Sequence, residues 1–442
     1  MAGRYDRFHQ GDRPDDNRER GQRDRDRVLY TAALRRLAGV TQVVAAGEGH
    51  VFHNRLTHTL EVAQVAGRLA EKLSKEQSEL AETLGGINAD VVEAAALAHD
   101  LGHPPFGHVA EETLDKCLQA HALDGFEGNP QSFRVVTRLE SRHRDFSGLN
   151  LCRATLNAIL KYPWHRKTGG GKKQRKYGAY HSEGDEFAWA RELGPASEVK
   201  SVEAELMDWA DDIAYSVHDM EDFYRAGLIP LERLTEDGEA QAFLKEVFER
   251  WAQEGDPVSN EVQKELERTF DGLREFITAL VVEPYEGTSS QRWALRSLTA
   301  TLIARYVGAI GLAEPAADAE PRVEIHERAQ AEVRMLKQLT WHYVIHNPAL
   351  AAQQHGKRKV IRDLFEIFDS AAQKATPQEI AIFPIRHRES LQKVKAESAE
   401  PEQDCARIAA DLIADMTERQ ALDMHQRLTG NFLGSVMDVI VK

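Results

Sequence analysis

From Val28 onward, apolar residues of this 442-residue chain recur at the three- and four-residue intervals of α-helices. The alternation of apolar and polar residues that indicates strands is scarce, and the sequence shows no pair of alternating runs that would form a β-hairpin. The stretch 54–73 shows the helical pattern well, with a stripe made by Leu56, Leu60, Ala63, Ala66 and Ala70. The sequence therefore predicts an all-α fold.

Cysteine usage and hydropathy indicate the compartment. Cys117, Cys152 and Cys405 lie far apart, which favours neither a disulfide framework nor a cysteine-rich zinc site. The first residues lack an apolar signal-peptide core, and no apolar run approaches the roughly 20 residues that span a bilayer. We therefore expect a cytoplasmic protein that does not associate with a membrane.

The formal net charge of −15 argues against wholesale electrostatic binding to nucleic acid or to an anionic membrane. It leaves open a small anionic substrate, because a local pocket of arginine and lysine can oppose the overall sign. Binding of single-stranded DNA in a separate basic groove also stays open.

Composition divides the chain into three parts. Residues 1–26 are almost entirely polar, so we expect a mobile N-terminal arm. The core is predicted over 27–230, with a flexible basic insert near 165–185 that contains the run GGGKKQRKYG. Residues 231–442 are predicted to form further helices packed on this core.

Histidines and carboxylates are concentrated on four predicted helices. His58 lies on the first, and His99 and Asp100 end a second, very apolar helix, for which Asp90 is the expected N-cap and Gly102 the stop. The remaining two helices carry His108 with Glu111 one turn apart, and Asp211, Tyr215 and Asp219 at four-residue steps.

Two histidines and two aspartates make a plausible metal site. His58, His99, Asp100 and Asp211 would suit a divalent ion such as Mn, Fe, Ni, Co or Zn, with Mg as a further option, and would leave positions open for water and a phosphate oxygen. The alternative is that the histidines are satisfied core residues and that Asp100 caps a helix end. A second His-Asp pair, His218-Asp219, shows how easily the dipeptide arises, so spacing alone leaves both interpretations open.

The loop LAHDLGHPPFGHVAEE resembles that of the HD-domain deoxynucleoside triphosphate triphosphohydrolases, the dGTPase-like family. Segments at 23–43, 54–66, 96–112, 126–136, 148–151, 160–164 and 210–222 are similar to that family in the same order, and 340–348 and 364–365 match more weakly. The resemblance covers most of the chain. It implies an HD-domain helical bundle with additional C-terminal helices.

The resemblance also implies a reaction and roles for residues. Family members cut a dNTP between the α-phosphorus and the 5′ oxygen, which releases a deoxynucleoside and tripolyphosphate. His58, His99, Asp100 and Asp211 would hold the metal, and Asp211 is preferred to Asp212 because Tyr215 and Asp219 follow it at the family's spacing. His108 would donate a proton to the leaving oxygen, with Glu111 orienting it or tuning its pKa.

Substrate contacts are implied by the same resemblance. Arg55 would face the phosphates, with His103, Asn150, Lys161 and Lys176 as weaker candidates. Tyr215 would stack on the deoxyribose, Asp219 would accept from the 3′-hydroxyl, and Gln42 and Val43 would lie near the base and the 3′ side. The sequence does not indicate which base is preferred.

Oligomerisation and alternative functions complete the expectations. The resemblance implies a homo-oligomer, with a hexamer as one form, and a dNTP activator at a second site. One alternative is another HD phosphohydrolase, such as a nucleotidase or phosphodiesterase, which would use the same metal site. The other is a nucleotide-sensing or single-stranded-DNA-binding regulator that turns substrate over poorly.

Overall fold

The computed structural model describes residues 3–9, 16–42, 53–195, 198–253, 257–314, 321–345 and 348–432. Within these residues there are nineteen α-helices and one two-stranded sheet, which confirms the predicted all-α fold. No helix in these ranges has the length and apolar character needed to cross a bilayer.

The first eleven helices form the part of the chain that carries the predicted site. They are α1 (Arg20–Leu29), α2 (Ala32–Arg36), α3 (Arg55–Glu76), α4 (Ser78–Thr83), α5 (Ala89–Ala98), α6 (His108–Ala120), α7 (Gly128–Arg134), α8 (Arg153–Ile159), α9 (Lys172–Arg175), α10 (Gly184–Arg191) and α11 (Val202–Arg225). Short 3₁₀ turns cover Leu37–Gly39 and His181–Glu183, and a π turn covers Val135–Leu139.

Eight more helices follow. They are α12 (Asp237–Gln253), α13 (Asn260–Thr278), α14 (Ser289–Gly308), α15 (Glu327–Thr340), α16 (Pro348–Lys374), α17 (Ile385–Glu397), α18 (Pro401–Ala414) and α19 (Glu418–Leu428). Further 3₁₀ turns cover Leu231–Thr235 and Glu379–Ile382, and a π turn covers Trp341–Ile345. Strands β1 (Ile310–Leu312) and β2 (Val323–Ile325) pair antiparallel, with Gly311 opposite Glu324.

The first hydrophobic core surrounds α3, α5 and α11. Helix α5, with the sequence ADVVEAAALA, is buried on nearly every side, which explains why its apolar residues follow no single stripe. Its N-cap is Asn88, whose side chain accepts a hydrogen bond from the Val91 amide, so the expected cap at Asp90 is wrong by two residues. Asp90 instead lies in the first turn, where a carboxylate is favoured by the helix dipole.

This first core continues past the boundary predicted at residue 230. It includes Leu231, Phe243, Phe270 and Leu336, and ends at Val344. The division of the chain at 230/231 stays a prediction, since the buried side chains show no break there.

The second core joins α6 to the C-terminal helices. Phe106, Leu114 and Leu118 pack there with Phe368 of α16 and Leu412 of α18. Helix α6 therefore presents one face to the C-terminal helices, while His108 and Glu111 at its start belong to the predicted site. The C-terminal part fixes the helix on which the predicted proton donor lies.

The polar N-terminal segment makes ionic contacts with the rest of the protein at the residues that are described, and the mobility of an arm over 1–26 stays a prediction. Residues 20–26 belong to α1, and Asp24 is fully buried, with its carboxylate 2.6 Å from the Arg7 guanidinium. Arg4 pairs with the buried Glu203 of α11 at 2.5 Å. Polar residues can pack in this way because each buried charge meets a partner of opposite sign.

Candidate active site

The cluster forms where α3, α5 and α11 meet. Asn54 begins α3 by accepting a hydrogen bond from the Thr57 amide, and this start places His58 one turn inside the helix, facing the core. His99 and Asp100 follow directly after α5. Asp211 lies in the middle of the long helix α11.

Three of the four predicted metal ligands bring their donor atoms within 4.8 Å of one another: His58, His99 and Asp211. His58 Nε2 lies 3.1 Å and His99 Nε2 3.6 Å from Asp211 Oδ1. The fourth, Asp100, lies against His99, with Oδ1 3.4 Å from His99 Nε2. All four predicted ligands therefore converge on one place.

The donor atoms are oriented as a metal site requires. His99 Nδ1–H donates to the Ala96 carbonyl at 2.6 Å, which leaves the Nε2 lone pair facing the carboxylates. This buried Nε2 has no hydrogen-bond partner among the described residues. Two imidazole nitrogens with two carboxylates form a donor set that fits a divalent transition ion, so the residues present fit the implied metal.

Asp211 and its neighbour Asp212 face different partners. Asp212 lies 2.5 Å from the Lys337 ammonium, whereas Asp211 faces the two histidines and, through Oδ2, Lys161 at 2.7 Å. Burial opposes ionisation of Asp211, but Lys161 and the imidazoles hold its pKa well below its usual range. Lys161 also pairs with Asp208 at 2.7 Å, a link that the sequence analysis did not identify.

A series of alternating imidazole and carboxylate side chains extends from Asp100 to the start of α6. His103 Nδ1 lies 3.0 Å from Asp100 Oδ1, and His103 Nε2 lies 3.3 Å from Glu111 Oε1, although neither contact has hydrogen-bond geometry. His108 Nδ1 is bound to Glu111 Oε2 at 2.8 Å. The predicted contact of His103 with a phosphate stays a prediction, because both its ring nitrogens face carboxylates here.

His108 and Glu111 differ sharply in burial. The His108 side chain is 71% exposed, whereas that of Glu111 is 8% exposed. Burial raises the pKa of Glu111, but His108 and His103 outweigh it and hold that pKa well below its usual range. The ionised Glu111 therefore fixes an imidazole that reaches solvent.

Two glycines let the backbone close around this loop. A Cβ on Gly102 would lie 2.2 Å from the Ser132 amide nitrogen and 2.3 Å from the Gly128 carbonyl oxygen of α7. A Cβ on Gly128 would lie 2.8 Å from Glu111 Oε1. Only glycine at these positions permits so close an approach of α7 to the loop that carries Asp100.

Arg55 and Lys176 bring positive charge to the cluster. Arg55 is buried and donates to Asp100 Oδ2 at 2.8 Å, and one of its terminal nitrogens lies near Gly107 at the start of α6. Lys176, from the basic insert, lies 2.5 Å from the buried carboxylate of Glu127. Glu127 was not identified from the sequence, although it precedes α7 directly.

Tyr215 and Asp219 extend from Asp211 along the same side of α11. The Lys337 ammonium lies 5.9 Å from the centre of the Tyr215 ring. Asp219 is buried, and its Oδ2 has no hydrogen-bond partner within the described ranges. Burial, and then the neighbouring Asp222, raise the pKa of Asp219 well above its usual range.

The remaining predicted substrate contacts lie in different surroundings. The segment before Gln42 pairs with the start of α3, as Thr41 forms a bridge to Asn54, and the buried Gln42 Oε1 has no hydrogen-bond partner in the part of the chain that is described. Val43 lies outside the described residues. Asn150 bonds through its side-chain amide to the backbone of His9, so its described contacts are with the N-terminal segment and not with the cluster.

Comparison with known proteins matches both parts of the chain. A family model described as HD domain matches residues 55–216, and one described as phosphohydrolase-associated domain matches residues 323–427. Deoxyguanosinetriphosphate triphosphohydrolase-like proteins of Streptomyces coelicolor and Corynebacterium efficiens are 36% and 37% identical to the chain, over 93% of its length and 92% of theirs. One of Bordetella pertussis is 34% identical over 94% of the chain and 91% of that protein.

The chain belongs to the deoxyguanosinetriphosphate triphosphohydrolase-like family of HD-domain hydrolases. This confirms the resemblance drawn from the loop around His99-Asp100. The HD match runs from Arg55, at the start of α3, to Ser216 of α11, and so contains all four predicted metal ligands. The phosphohydrolase-associated match includes α16–α19, which form the second core with α6.

Proposed function

We propose that this protein hydrolyses a deoxynucleoside triphosphate to a deoxynucleoside and tripolyphosphate. The observation that carries the proposal is the pairing of an exposed His108 with a buried Glu111, joined through His103 to a cluster of metal-type ligands. That arrangement offers a proton donor beside a site that attracts phosphate. The names of the relatives agree with it, since they refer to triphosphohydrolysis of deoxyguanosine triphosphate.

A divalent ion is part of the proposal. His58, His99, Asp100 and Asp211 would hold it, because their donor atoms converge and His99 Nε2 is buried without a protein partner among the described residues. When bound, such an ion acts as a Lewis acid on a phosphoryl oxygen. Mn, Mg and other transition ions suit these ligands to different degrees, so the native ion is a matter for measurement.

His108 would supply the proton that the reaction requires. Attack of water on the α-phosphorus breaks the bond to the 5′ oxygen, and this alkoxide is a poor leaving group unless it takes up a proton. Because Nδ1 of His108 is bound to Glu111, Nε2 is the nitrogen that can donate to the 5′ oxygen. Glu111 stabilises the protonated imidazole before the donation and keeps the ring oriented.

Cationic side chains would hold the triphosphate. Arg55 is placed between Asp100 and the start of α6, and Lys161 lies beside Asp211. Lys176 lies next to Glu127, and its charge also acts on Glu111. These charges favour an anionic substrate locally, in spite of the net charge of −15.

The deoxyribose of the substrate would lie against α11. Tyr215 and Asp219 follow Asp211 by one and two turns, so a nucleotide with its α-phosphate at the ligand cluster would lay its sugar along this helix. The ring of Tyr215 would exclude a 2′-hydroxyl by contact with the sugar, and Asp219 would bond the 3′-hydroxyl. Asp219 Oδ2, which is buried and has no hydrogen-bond partner among the residues that the structure describes, supports this role, because a buried polar atom is stabilised by a partner.

Assembly is part of the proposal as well. We propose a cytoplasmic homo-oligomer, which a dNTP at a second site can activate. Light scattering tests it: a mass near 49.7 kDa, that of one chain, would contradict the oligomer. An electrophoretic shift at physiological salt, with and without dNTP, tests single-stranded-DNA binding separately.

Product analysis tests the proposed reaction. The purified protein is incubated with each of the four dNTPs and with GTP in the presence of Mn or Mg, and the products are separated by ion-exchange chromatography. Deoxynucleoside and tripolyphosphate from dNTPs, with GTP spared, are the expected result. Phosphate, pyrophosphate or a monophosphate would indicate another HD phosphohydrolase, and no turnover with any metal would favour a binding regulator.

A further inference from the structure

A second group of metal-type ligands lies on α3 and α11, apart from the residues assigned to the catalytic cluster. His53 precedes the N-cap of α3, Glu61 lies in the second turn of α3, and His218 and Asp222 lie one turn apart on α11. The second His-Asp pair of the sequence, His218-Asp219, thus has a structural setting of its own.

The donor atoms of this group are close together. His53 Nε2 lies 3.2 Å from Glu61 Oε1, and His218 Nδ1 lies 2.8 Å from Glu61 Oε2. The two imidazole rings are stacked, with centroids 5.1 Å apart and planes inclined by 18°. All three residues offer donor atoms within 4.8 Å of one another, so modest side-chain movement would bring them to the roughly 3.4 Å between ligands in a tetrahedral site with bonds of about 2.1 Å.

Asp222 orients His53 as a ligand. The His53 ring donates Nδ1–H to Asp222 Oδ2 at 2.7 Å, and the His53 backbone amide donates to the same oxygen at 2.5 Å. In the neutral tautomer that keeps this proton on Nδ1, the lone pair lies on Nε2, which is within hydrogen-bond distance of Glu61 Oε1 at 3.2 Å. A carboxylate that accepts from the distal nitrogen of a histidine is the usual support of a metal-binding imidazole.

His218 offers a second, unused donor. Its side chain is 10% exposed, and Nδ1 has no hydrogen-bond partner among the described residues, although Glu61 is near. A buried nitrogen that faces a carboxylate oxygen without bonding it is well placed to share an ion with that oxygen.

The charges around the group favour a cation. Glu61 and Asp222 lie here, and the guanidinium of Arg55 is already engaged with Asp100. These two carboxylates carry negative charge that a divalent ion bound between the imidazoles would neutralise.

We propose that His53 Nε2, His218 Nδ1 and a carboxylate oxygen of Glu61 form a second cation site, which takes a divalent ion of the Zn, Co or Ni type. Two nitrogens and one oxygen are ligands that these ions prefer. The ion ties the residue that leads into α3 to the middle of α11. It lies beside Asp219, and so holds the part of α11 on which that carboxylate is placed.

Metal counting tests this site without reference to activity. The full-length protein is stripped with a chelator, reloaded with Zn²⁺ or Co²⁺, desalted and analysed by mass spectrometry of the elements. Glu61→Gln and His218→Ala should each lose about one ion per chain relative to the unaltered protein. Asp211→Asn, which removes a ligand of the other cluster, should keep the second ion.

A matched control separates this loss from general effects of removing a histidine. His425 pairs with Asp363 at 2.8 Å on the C-terminal helices, so His425→Ala removes a histidine of a similar ion pair and should retain every ion. An ion count for Glu61→Gln and His218→Ala equal to that of His425→Ala would overturn the proposal. It would leave a metal-free network of hydrogen bonds and ion pairs among these side chains.

If a variant fails to fold, crystallography of the unaltered protein tests the site instead. Crystals of the unaltered protein grown with Zn²⁺ should show an anomalous difference peak between His53 Nε2 and His218 Nδ1. The absence of a peak there, with one present at His58 and His99, would overturn the proposal while leaving the proposed function intact.

Discussion

At the scale of single residues, the pairing of His108 with Glu111 makes the clearest prediction. His108→Ala removes the proposed proton donor but no proposed metal ligand, so kcat should fall by about 10²–10⁴-fold with metal content unchanged. Turnover and metal content are measured on the same preparation. Full activity of the variant would refute the role of His108, and His121→Ala, which removes a half-buried histidine of another pair, is the matched control.

Substitution of Asp211 is expected to differ in its effect from substitution of His108. Asp211 Oδ1 faces both His58 and His99, so Asp211→Ala should lose the catalytic ion and turnover together. Asp212→Ala is the neighbouring control, because Asp212 pairs with Lys337 and should leave the catalytic ion in place. Metal content that is lower in Asp212→Ala than in Asp211→Ala would reverse the assignment.

Sequence reasoning reached the ligand types but not every contact. The resemblance to the family favoured Asp211 over Asp212, and the structure gives the two residues distinct partners. Sequence reasoning could not tell that Asn150 bonds His9, or that Lys161 links Asp208 to Asp211, because such contacts join segments far apart in the chain. The group around Glu61 was missed for the same reason.

At the scale of elements, the close packing of α7 on the loop after α5 can be tested at Gly102. A Cβ there would meet backbone atoms at 2.2–2.5 Å, which cannot move like the end of a side chain. Gly102→Ala should therefore destabilise the protein by at least about 2 kcal/mol. Denaturant unfolding measures the change.

A glycine in open surroundings is the control for that variant. Gly184 begins α10 with helical backbone angles, and a Cβ there would meet no atom within 4 Å among the described residues. Gly184→Ala should be neutral or raise stability by up to about 1 kcal/mol. Equal losses at the two positions would show that close packing at Gly102 is not the cause.

The packing of α17 predicts a dependence of stability on pH. Burial, and then Arg386, lower the pKa of His387 from 6.5 to about 4. The unfolded chain therefore takes up a proton near pH 6.5 while the folded protein does not, so stability is present above that pH and is lost as the pH falls toward 4.

The size of this effect can be isolated by substitution. Between pH 7.5 and 5, the unaltered protein should lose about 2 kcal/mol more of its unfolding free energy than His387→Leu loses. His143→Leu, at an exposed histidine, should behave like the unaltered protein. The same pH slope in the unaltered protein and in His387→Leu would remove His387 as the cause.

Helices were predicted well where apolar residues recur at regular helical spacing. They were predicted less well where contacts with distant segments determine whether a helix packs. The helices that carry His58, His99 and Asp211 follow from apolar spacing and caps. Helix α1 does not, because its buried Asp24 packs only once Arg7 and the Cys152 amide, which lie outside the helix, reach its carboxylate. The start of α5 shifted to Asn88 because Asn88 and Asp90 are both good caps, and only the backbone angles decide between them.

At the scale of the whole molecule, a buried ionic network links α7 to the C-terminal helix α18 of the second core. Arg134 of α7 donates to Asp411 of α18 through Nε and Nη2, and its Nη1 pairs with the fully buried Glu183. Gln131 also donates to Asp411, at 2.9 Å. The network thus joins parts of the chain that the sequence alone divides at about residue 230.

Removing Arg134 should weaken this connection strongly. Arg134→Ala leaves the carboxylates of Asp411 and Glu183 buried without their cation, and such a loss costs about 3–5 kcal/mol. Arg419→Ala is the control, because that side chain is 84% exposed and pairs with Asp423 on the surface, where ion pairs are worth about 0.5 kcal/mol. Calorimetry should therefore show a lower unfolding midpoint for Arg134→Ala than for Arg419→Ala. Equal midpoints would mean that the buried network adds no net stability.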